Sequence, residues 1–339
     1  MSGTDMLKVC IFGGGAIGGY IAAHLARAGQ CELSVVARGA TLAAIRAQGL
    51  RVRTPSGEIH ANVHATADAR ELGRQDYIFV TLKAHQFDAA LDDIAALMDE
   101  HTTVLPPTTG IPYYFFHRIA GSFDGHRLED IDPGARQWQT LPPSQVLGCV
   151  HWIGAHVITP GVIAQDGERA GCPVGELDGQ PSERVTRLAM LLDESGIPSR
   201  VSGDIRAAIW TKFVNSLCWN PVAVLTGATL GAMSEAPGIV PLVDTMMHEA
   251  DAIAAHVGLK VGPPPEKRIA TTLSARDHKM SMLQDLEAGR PLELDPLVRS
   301  LRAVARLANL STPTLDTVLA LAALRARTHH STRQEQQAS

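Results

Sequence analysis

The stretch that most constrains the fold lies near the N-terminus, at residues 8–19, KVCIFGGGAIGG. A short apolar run leads into glycines, of which Gly13, Gly15 and Gly18 fit the spacing G-x-G-x-x-G. Residues 20–28 are alanine-rich, with apolar side chains at helical spacing. A strand, a glycine turn and a helix in this order present unpaired N–H groups and the positive end of a helix dipole to an anion. The stretch predicts a dinucleotide pyrophosphate site, the alternative being a purely structural turn.

The residues of this turn have distinct predicted roles. Gly13 allows the tight turn, Gly15 the close approach of phosphate, and Gly18 the close packing of helix on strand. Ala16 and Ile17 belong to the predicted cofactor site because they lie where the helix begins.

A second strand-like run, residues 32–37, indicates which dinucleotide binds. It ends at Arg38, twenty residues after Gly18. An acid at this point of the fold binds a ribose 2′-hydroxyl, whereas an arginine suits a 2′-phosphate. The sequence therefore predicts NADP rather than NAD, the alternative being an arginine that caps the strand in solvent.

Length and charge limit the classes of protein to consider. The chain has 339 residues, enough for two domains, and a net charge of −5 with no basic block, which argues against a nucleic-acid surface. The first eight residues contain no apolar signal core, and no apolar run approaches the roughly eighteen residues of a membrane span. We therefore expect a cytoplasmic protein without membrane contact.

Cysteine and histidine spacing predicts no metal site. The five cysteines form no C-x-x-C pair, and the fourteen histidines form no H-E-x-x-H or comparable pattern. Scattered cysteines in odd number are typical of reduced cytoplasmic thiols.

Residues 1–203 alternate between strand and helix patterns and predict a Rossmann-type α/β domain. A helix near 42–48, a β-like segment at 49–65 and a buried strand at 77–82 indicate a parallel sheet with helices on both faces. The runs 146–150 and 161–163 are interpreted as later strands of this domain. Ligands bind beyond the carboxyl ends of such strands, where Lys83 and Thr109 follow their strands.

Residues 204–327 predict an all-α domain, and residues 328–339 a frayed polar tail. Asp204 is a good N-cap for the first helix. Further helices are expected near 240–256, 269–287, 295–310 and 313–326.

The first helix of this half carries polar residues on an otherwise apolar surface. Lys212, Ser216 and Asn220 lie within about 80° of one another around the helix. A buried lysine or asparagine costs several kcal/mol unless it is partnered or lines a wet cleft. The pattern favours a cleft, the alternative being that Lys212 extends along its stem to the surface.

A second polar cluster follows. Ser281 and Asp285 lie one helical turn apart, and Glu293 falls near the start of the next helix, after a break at Gly289 and Pro291. By itself this pattern is typical of a solvated helix end.

The chain resembles the ketopantoate reductase (2-dehydropantoate 2-reductase) family over its whole length except the short tails. The matching segments are residues 13–19, 37–39, 81–86, 109–115, 209–221, 225–230 and 279–295. The resemblance implies NADPH-dependent reduction of a 2-oxo acid, a step of pantothenate biosynthesis, in a cleft between a Rossmann domain and a helical domain.

The resemblance also implies roles for individual residues. Lys212 matches the family's catalytic lysine, and Glu293 the acid that helps to organise it. Asn220 and Ser281 match residues that hold the substrate's hydroxyl and carboxylate. Lys83 matches a lysine on the cofactor side, and Asp285 an acid of the substrate cleft, which we interpret as supporting structure.

Two departures from the family pattern concern the substrate. Thr109 precedes Gly110 where the family usually has Asn-Gly, and Ser216 replaces an asparagine four residues after the lysine. Three readings stay open: a reductase of ketopantoate, an NADP-dependent reductase of another 2-oxo acid, and a non-catalytic NADP-binding sensor. The sequence does not distinguish a monomer from a homodimer.

Overall fold

The computed structural model describes residues 6–338, with side chains through His329; the N-terminal stretch predicted to lack a signal core lies partly outside it. Five strands form a parallel sheet in the order β5-β2-β1-β6-β7. Their bounds are β1 Lys8–Phe12, β2 Glu32–Val36, β5 His64–Thr66, β6 Tyr77–Val80 and β7 Thr103–Leu105. This sheet confirms the predicted Rossmann-type architecture.

Two further sheets correct the interpretation of the remaining β runs. A mixed sheet has the order β4-β3-β10-β9, and a two-stranded sheet pairs β8 with β11. Their bounds are β3 Leu50–Thr54, β4 Gly57–Ala61, β8 Gly148–Cys149, β9 Trp152–Thr159, β10 Val162–Gly171 and β11 Val174–Gly175. The run 161–163 thus belongs to the mixed sheet, where it pairs with β3 and β9. The run 146–150 is divided: Val146 extends the parallel sheet through a parallel bridge to Val104 of β7, and Gly148–Cys149 pairs with β11.

Five helices belong to the first 203 residues and seven to the remainder of the described chain. The first group is α1 Ala16–Ala28, α2 Gly39–Gln48, α3 Ala84–Ala95, α4 Arg136–Thr140 and α5 Glu183–Glu194. The second is α6 Ile205–Thr226, α7 Leu230–Glu235, α8 Ile239–His256, α9 Pro265–Leu273, α10 Ser281–Glu287, α11 Leu294–Ala308 and α12 Pro313–Ala338. The predicted all-α second half is confirmed.

The parallel sheet is buried on both faces, which places it between two cores. Alternate residues of a strand point to opposite faces. Val9 and Ile11 of β1 enter a core formed with α1 and the mixed sheet. Cys10 and Phe12 enter a core that continues into α3, α6 and the other C-terminal helices. Because this second core spans both halves, the predicted boundary at residue 203 stays a prediction.

The helix α6 is the centre of the C-terminal half. The side chain of Asp204 accepts a hydrogen bond from the N–H of Ala207, as expected for an N-cap. Trp210, Phe213 and Trp219 are fully or almost fully buried. The helix packs against α8, α10, α11 and α12, so its polar residues lie among elements from several parts of the chain.

Two predicted boundaries are wrong. The helix expected at 269–287 is broken into α9 and α10, because residues between them bond to α7: the N–H of Leu230 donates to the carbonyl of His278, and that of Gly231 to Arg276. The tail expected to be frayed continues α12 as far as Ala338. Its sequence contains no glycine or proline, so adding residues to a helix already formed costs little.

Candidate active site

The main groove lies at the carboxyl ends of the parallel strands and reaches across to the helical half. Its volume is about 670 Å³. Residues from both halves line it, among them Gly13, Gly15, Ala16, Ile17, Arg38, Lys83, Thr109, His151, Lys212 and Glu293. The carboxyl edge of a doubly wound sheet is where ligands of such folds bind.

The glycine loop has the geometry that its spacing predicts. Gly13 has a φ of +121°, a conformation that side chains rarely adopt. A Cβ on Gly18 would lie 1.9 Å from the carbonyl oxygen of Gly13, so only glycine allows α1 to pack this closely. A Cβ on Gly15 would meet nothing within 4 Å. The helix N-terminus at Ala16 is thus open to the groove, and this fits a pyrophosphate bound by backbone N–H groups.

Arg38 lies where β2 meets α2 and lines the same groove. Its guanidinium is 3.0 Å from a carboxylate oxygen of Asp93, and its side chain is 67% exposed. The same carboxylate group accepts from Arg70, also at 3.0 Å. Arg38 is therefore held at the edge of the groove by one ion pair and keeps donors free for a phosphate.

Lys212 lies on α6 and reaches the groove from the helical half. Its ammonium donates to the main-chain carbonyl of His151 at 3.1 Å, which directs the side chain along the groove wall. Burial lowers the pKa of Lys212 below 10.5, and electrostatic interactions with Cys149, Cys172 and Glu293 act in the opposite direction. These observations support the hypothesis that Lys212 lines a cleft over the alternative that it extends to the surface.

A network of charged side chains joins the two halves beside Lys212. The Lys83 ammonium is 2.6 Å from one carboxylate oxygen of Asp285 and 3.7 Å from Glu293. Glu293 also accepts from the N–H of Ala84, at the start of α3, at 3.1 Å. Arg290 donates to the other oxygen of Asp285 at 2.8 Å. The network fixes Glu293 in the groove and gives Asp285, which is buried and does not line the groove, a supporting position.

Helix periodicity places Asn220 and Ser216 on the same face of α6 as Lys212, but the structure does not bring them to the groove that Lys212 lines. The amide oxygen of Asn220 accepts from the Ser281 hydroxyl at 3.3 Å and the Met282 N–H at 3.0 Å, and its amide N–H donates to the Ser216 carbonyl. Asn220 is 2% exposed. Asn220, Ser281 and Ser216 are thus brought together where α10 meets α6, and none of them lines the main groove.

Thr109 lies between two cavities. It lines both the main groove and an adjoining cavity of about 350 Å³. The turn that carries it is fixed from the helical half, because the hydroxyl of Ser300 accepts from the N–H of Ile111 at 2.9 Å. Gly110, with a φ of +82°, lies so close to Ser300 that a Cβ would be 2.5 Å from its hydroxyl. The threonine is therefore placed at the groove by both halves of the chain.

Sequence reasoning missed His151. This residue lies between β8 and β9, lines the groove, and its carbonyl holds Lys212. Its ring also contacts the thiols of Cys149 and Cys172. No spacing rule joins residues 149–151 to residue 172, since they meet only because their segments pair.

The Rossmann-type half, the helical half and the groove between them define the class of nicotinamide-dinucleotide-dependent oxidoreductases. Two models match the chain: "Ketopantoate reductase PanE/ApbA" over residues 9–179 and "Ketopantoate reductase PanE/ApbA C terminal" over residues 204–326. The chain belongs to the ketopantoate reductase family.

Several relatives extend this likeness over almost the whole chain. A 2-dehydropantoate 2-reductase of Mesorhizobium japonicum is 45% identical over 93% of this chain and 96% of its own. A candidate ketopantoate reductase from Ralstonia solanacearum MolK2 has a TM-score of 0.88 at 38% identity, covering 96% of this chain and 99% of its own. A D-mandelate dehydrogenase solved with NADH and anilino(oxo)acetate shares the fold, with a TM-score of 0.80 at 21% identity, covering 95% and 99%.

In the described residues, no helix is long and apolar enough to cross a bilayer.

Proposed function

We propose that the protein reduces ketopantoate to pantoate with NADPH. The observation that carries this proposal is that Lys212 and Glu293 line the same groove as the glycine loop, although they lie about eighty residues apart in the helical half. A relative 45% identical over 93% of this chain is a 2-dehydropantoate 2-reductase. An ammonium next to a dinucleotide site can supply the proton that reduction of a ketone requires.

The bound reduced nicotinamide supplies the hydride for the 2-keto carbon. Lys212 polarises the keto oxygen through its ammonium N–H and then gives a proton to the alkoxide. A positioned proton donor of this kind contributes about 10²–10⁴-fold to the rate, or roughly 3–5 kcal/mol of barrier. Burial lowers the pKa of Lys212 and so makes it a better donor.

We assign Glu293 an orienting role. One of its oxygens accepts from the N–H of Ala84 and the other faces the Lys83 ammonium, so both contacts fix the orientation of the carboxylate. Its negative charge favours the ammonium form of Lys212. Lys83 is then a positioning residue on the cofactor side, and Asp285 holds Lys83.

NADP is proposed as the cofactor because of Arg38. Its guanidinium lies at the groove edge next to β2, where a ribose 2′-phosphate would be bound. NAD is the competing cofactor, since the D-mandelate dehydrogenase of the same fold was solved with NADH. Gly13, Gly15, Ala16, Ile17 and Gly18 are proposed to hold the pyrophosphate.

The substrate contacts stay predictions. Ser281 is exposed beside the α6–α10 contact, and we propose that its hydroxyl contacts the substrate. Asn220 uses its amide to hold Ser281 and Met282, so we propose that it positions Ser281 for the substrate. Ser216 and Asp285 support the same region, and Thr109 faces the groove directly.

A reductase of a different 2-oxo acid is the second candidate, because Thr109 replaces the amide expected at the groove. A threonine hydroxyl is shorter than an asparagine amide and offers one donor. The missing contact is worth about 1–3 kcal/mol. A non-catalytic NADP-binding sensor would need only the glycine loop and Arg38, so the presence of Lys212 and Glu293 in the groove argues against it.

A panel of 2-oxo acids tests the proposal, with NADPH oxidation as the readout. We expect ketopantoate to give the highest kcat/KM by a wide margin. Thr109→Asn should raise kcat/KM for ketopantoate if an amide contact is what the chain lacks. Another 2-oxo acid with the highest kcat/KM would favour the second candidate, and absence of turnover with every acid would favour the sensor.

A further inference from the structure

Two short segments behind the Lys212 side of the groove pair in a single antiparallel register. Cys149 lies opposite Val174, and Trp152 lies opposite Gly171. The N–H of Val150 also donates to the carbonyl of Pro173 at 3.1 Å. This register places residue 151 opposite residue 172. Because alternate residues of a strand share a face, Cys149, His151 and Cys172 project from the same side of the pair.

The three donor atoms of this cluster lie at the spacing of metal ligands. The two sulfur atoms are 3.3 Å apart, and the Nδ1 of His151 lies 3.4 Å from the Cys172 sulfur and 3.8 Å from the Cys149 sulfur. Zinc–sulfur bonds of about 2.3 Å and zinc–nitrogen bonds of about 2.0–2.1 Å at tetrahedral angles separate S from S by roughly 3.8 Å and S from N by roughly 3.6 Å. To bind an ion, the distances among the two sulfur atoms and the His151 nitrogen need to change by only about half an ångström or less.

The backbone that carries the cysteines is already ordered by its neighbours. The N–H of Cys172 donates to the carbonyl of Pro198 at 2.9 Å, and the hydroxyl of Ser199 donates to the carbonyl of Cys172 at 2.7 Å. Both thiols are free and fully buried. His151 is partly exposed and lines the main groove, which gives an ion a path to the sulfur atoms. The ligands therefore need little ordering on binding.

We infer that Cys149, His151 and Cys172 bind a thiophilic divalent cation, with Zn²⁺ as the fitting ion. Two thiolates balance the charge of a divalent ion, and sulfur with imidazole nitrogen selects Zn²⁺ over Mg²⁺ or Ca²⁺, which prefer oxygen. Three protein ligands leave the fourth position of a tetrahedral ion for solvent. The site adjoins the carbonyl that holds Lys212 but supplies no step of the proposed reduction, so it can be tested without substrate or cofactor.

The test uses Co²⁺ as a spectroscopic probe of the full-length, metal-free protein kept reduced. Wild type should bind one Co²⁺ with the charge-transfer and ligand-field absorption of tetrahedral thiolate ligation, and one equivalent of Zn²⁺ should remove that absorption. Cys172→Ser and Cys149→Ser should each weaken binding by more than about tenfold, the loss that changing even an outer partner of a metal can cause. Cys31→Ser, a buried free cysteine outside the cluster, should bind as wild type does.

A third variant separates ligand loss from misfolding. His151→Gln keeps both thiols and the main-chain carbonyl, and we expect weaker Co²⁺ binding with an unchanged circular dichroism spectrum. The inference is overturned if wild type shows no thiolate–cobalt absorption at saturating Co²⁺. It is equally overturned if the absorption survives in both cysteine variants, or if Cys149 and Cys172 are found joined as a disulfide in the protein as isolated from the cell with its thiols trapped at lysis.

Discussion

The two walls of the groove are built in opposite ways. The glycine wall, residues 13–18, is one continuous segment that presents backbone and almost no side chain. The charged wall consists of Lys83, Lys212 and Glu293, which come from three distant parts of the chain. We propose that the first wall binds the nucleotide by shape and N–H groups, and that the second acts on the substrate by charge. Substitutions in the glycine wall should therefore alter folding and nucleotide affinity, and substitutions in the charged wall should alter turnover.

The sharpest test of this difference is Lys212→Ala. We expect kcat to fall by about 10²–10⁴-fold, because the proton donor for the alkoxide is lost. The Kd for NADPH should stay within a few-fold of wild type, since the glycine wall is unchanged; steady-state kinetics and fluorescence titration measure the two. Lys279→Ala, which removes an exposed lysine paired with Glu287, is the matched control and should leave both unchanged. Wild-type turnover in Lys212→Ala would end the assignment.

Within the glycine wall, Gly18→Ala and Gly15→Ala should behave differently. The methyl of Gly18→Ala meets the carbonyl of Gly13 and the hydroxyl of Thr81, so we expect the free energy of unfolding to fall by about 3 kcal/mol. The methyl of Gly15→Ala contacts no atom within 4 Å, so the free energy of unfolding should be unchanged. The variant should bind nucleotide more than about tenfold more weakly, because the methyl occupies the space proposed for the phosphate. Denaturant unfolding and nucleotide titration separate the two effects. Equal stabilities would contradict the packing argument.

Substitution of Arg38 tests whether a charge beside the glycine wall determines the preference for NADPH over NADH. Arg38→Asp should lower the preference for NADPH over NADH by about tenfold or more, as expected for a charge-assisted contact of roughly 1.5–3 kcal/mol. Arg70→Asp is the matched control, because Arg70 pairs with the same Asp93 yet is not among the groove residues. Comparing kcat/KM for the two cofactors gives the answer. A preference that survives Arg38→Asp would place the 2′-phosphate contact elsewhere.

The smallest expected effect is a shift in the pH dependence of kcat in Glu293→Gln. Lys212 must be protonated to act, so the rate should fall as the pH rises through its pKa, which burial holds below 10.5. Electrostatic interactions with Cys149, Cys172 and Glu293 raise that pKa. Removing the charge of Glu293 lowers it, so the alkaline limb of the kcat profile should move to lower pH in Glu293→Gln. Glu235→Gln, an exposed acid paired with Arg276, should leave the limb in place.

Helix periodicity predicted the position of Lys212 and misplaced that of Asn220. The two residues share a face of α6 but lie eight residues apart, about 12 Å along the axis. The groove reaches the first of them, whereas α10 covers the second and takes its hydrogen bonds. Periodicity gives the direction of a side chain around its own helix. It says nothing about which neighbouring element covers that direction.

The glycine wall was easier to predict from the sequence than the charged wall. The glycine wall depends on the φ angle of Gly13 and the space around Gly15 and Gly18, and these are properties of one short segment. The charged wall depends on contacts between Lys83 and Asp285, and between Ala84 and Glu293, which are more than two hundred residues apart in sequence. The sequence pattern singled out Lys83 at a strand end and Asp285 and Glu293 in a polar cluster, but only the family resemblance assigned them to one site.

Four features could be predicted from the sequence alone: the strand–turn–helix at the N-terminus, the parallel sheet, the helical second half and a buried helix that carries a lysine. These features follow from residue conformational preferences and from hydrophobic periods of two or 3.6 residues, all of which act within a single element. The tertiary structure alone decided that the hairpin strands form a separate sheet, that α10 covers Asn220, and that Cys149, His151 and Cys172 meet beside Lys212. Such contacts arise because distant segments share one core, and no local pattern encodes which segments will be neighbours.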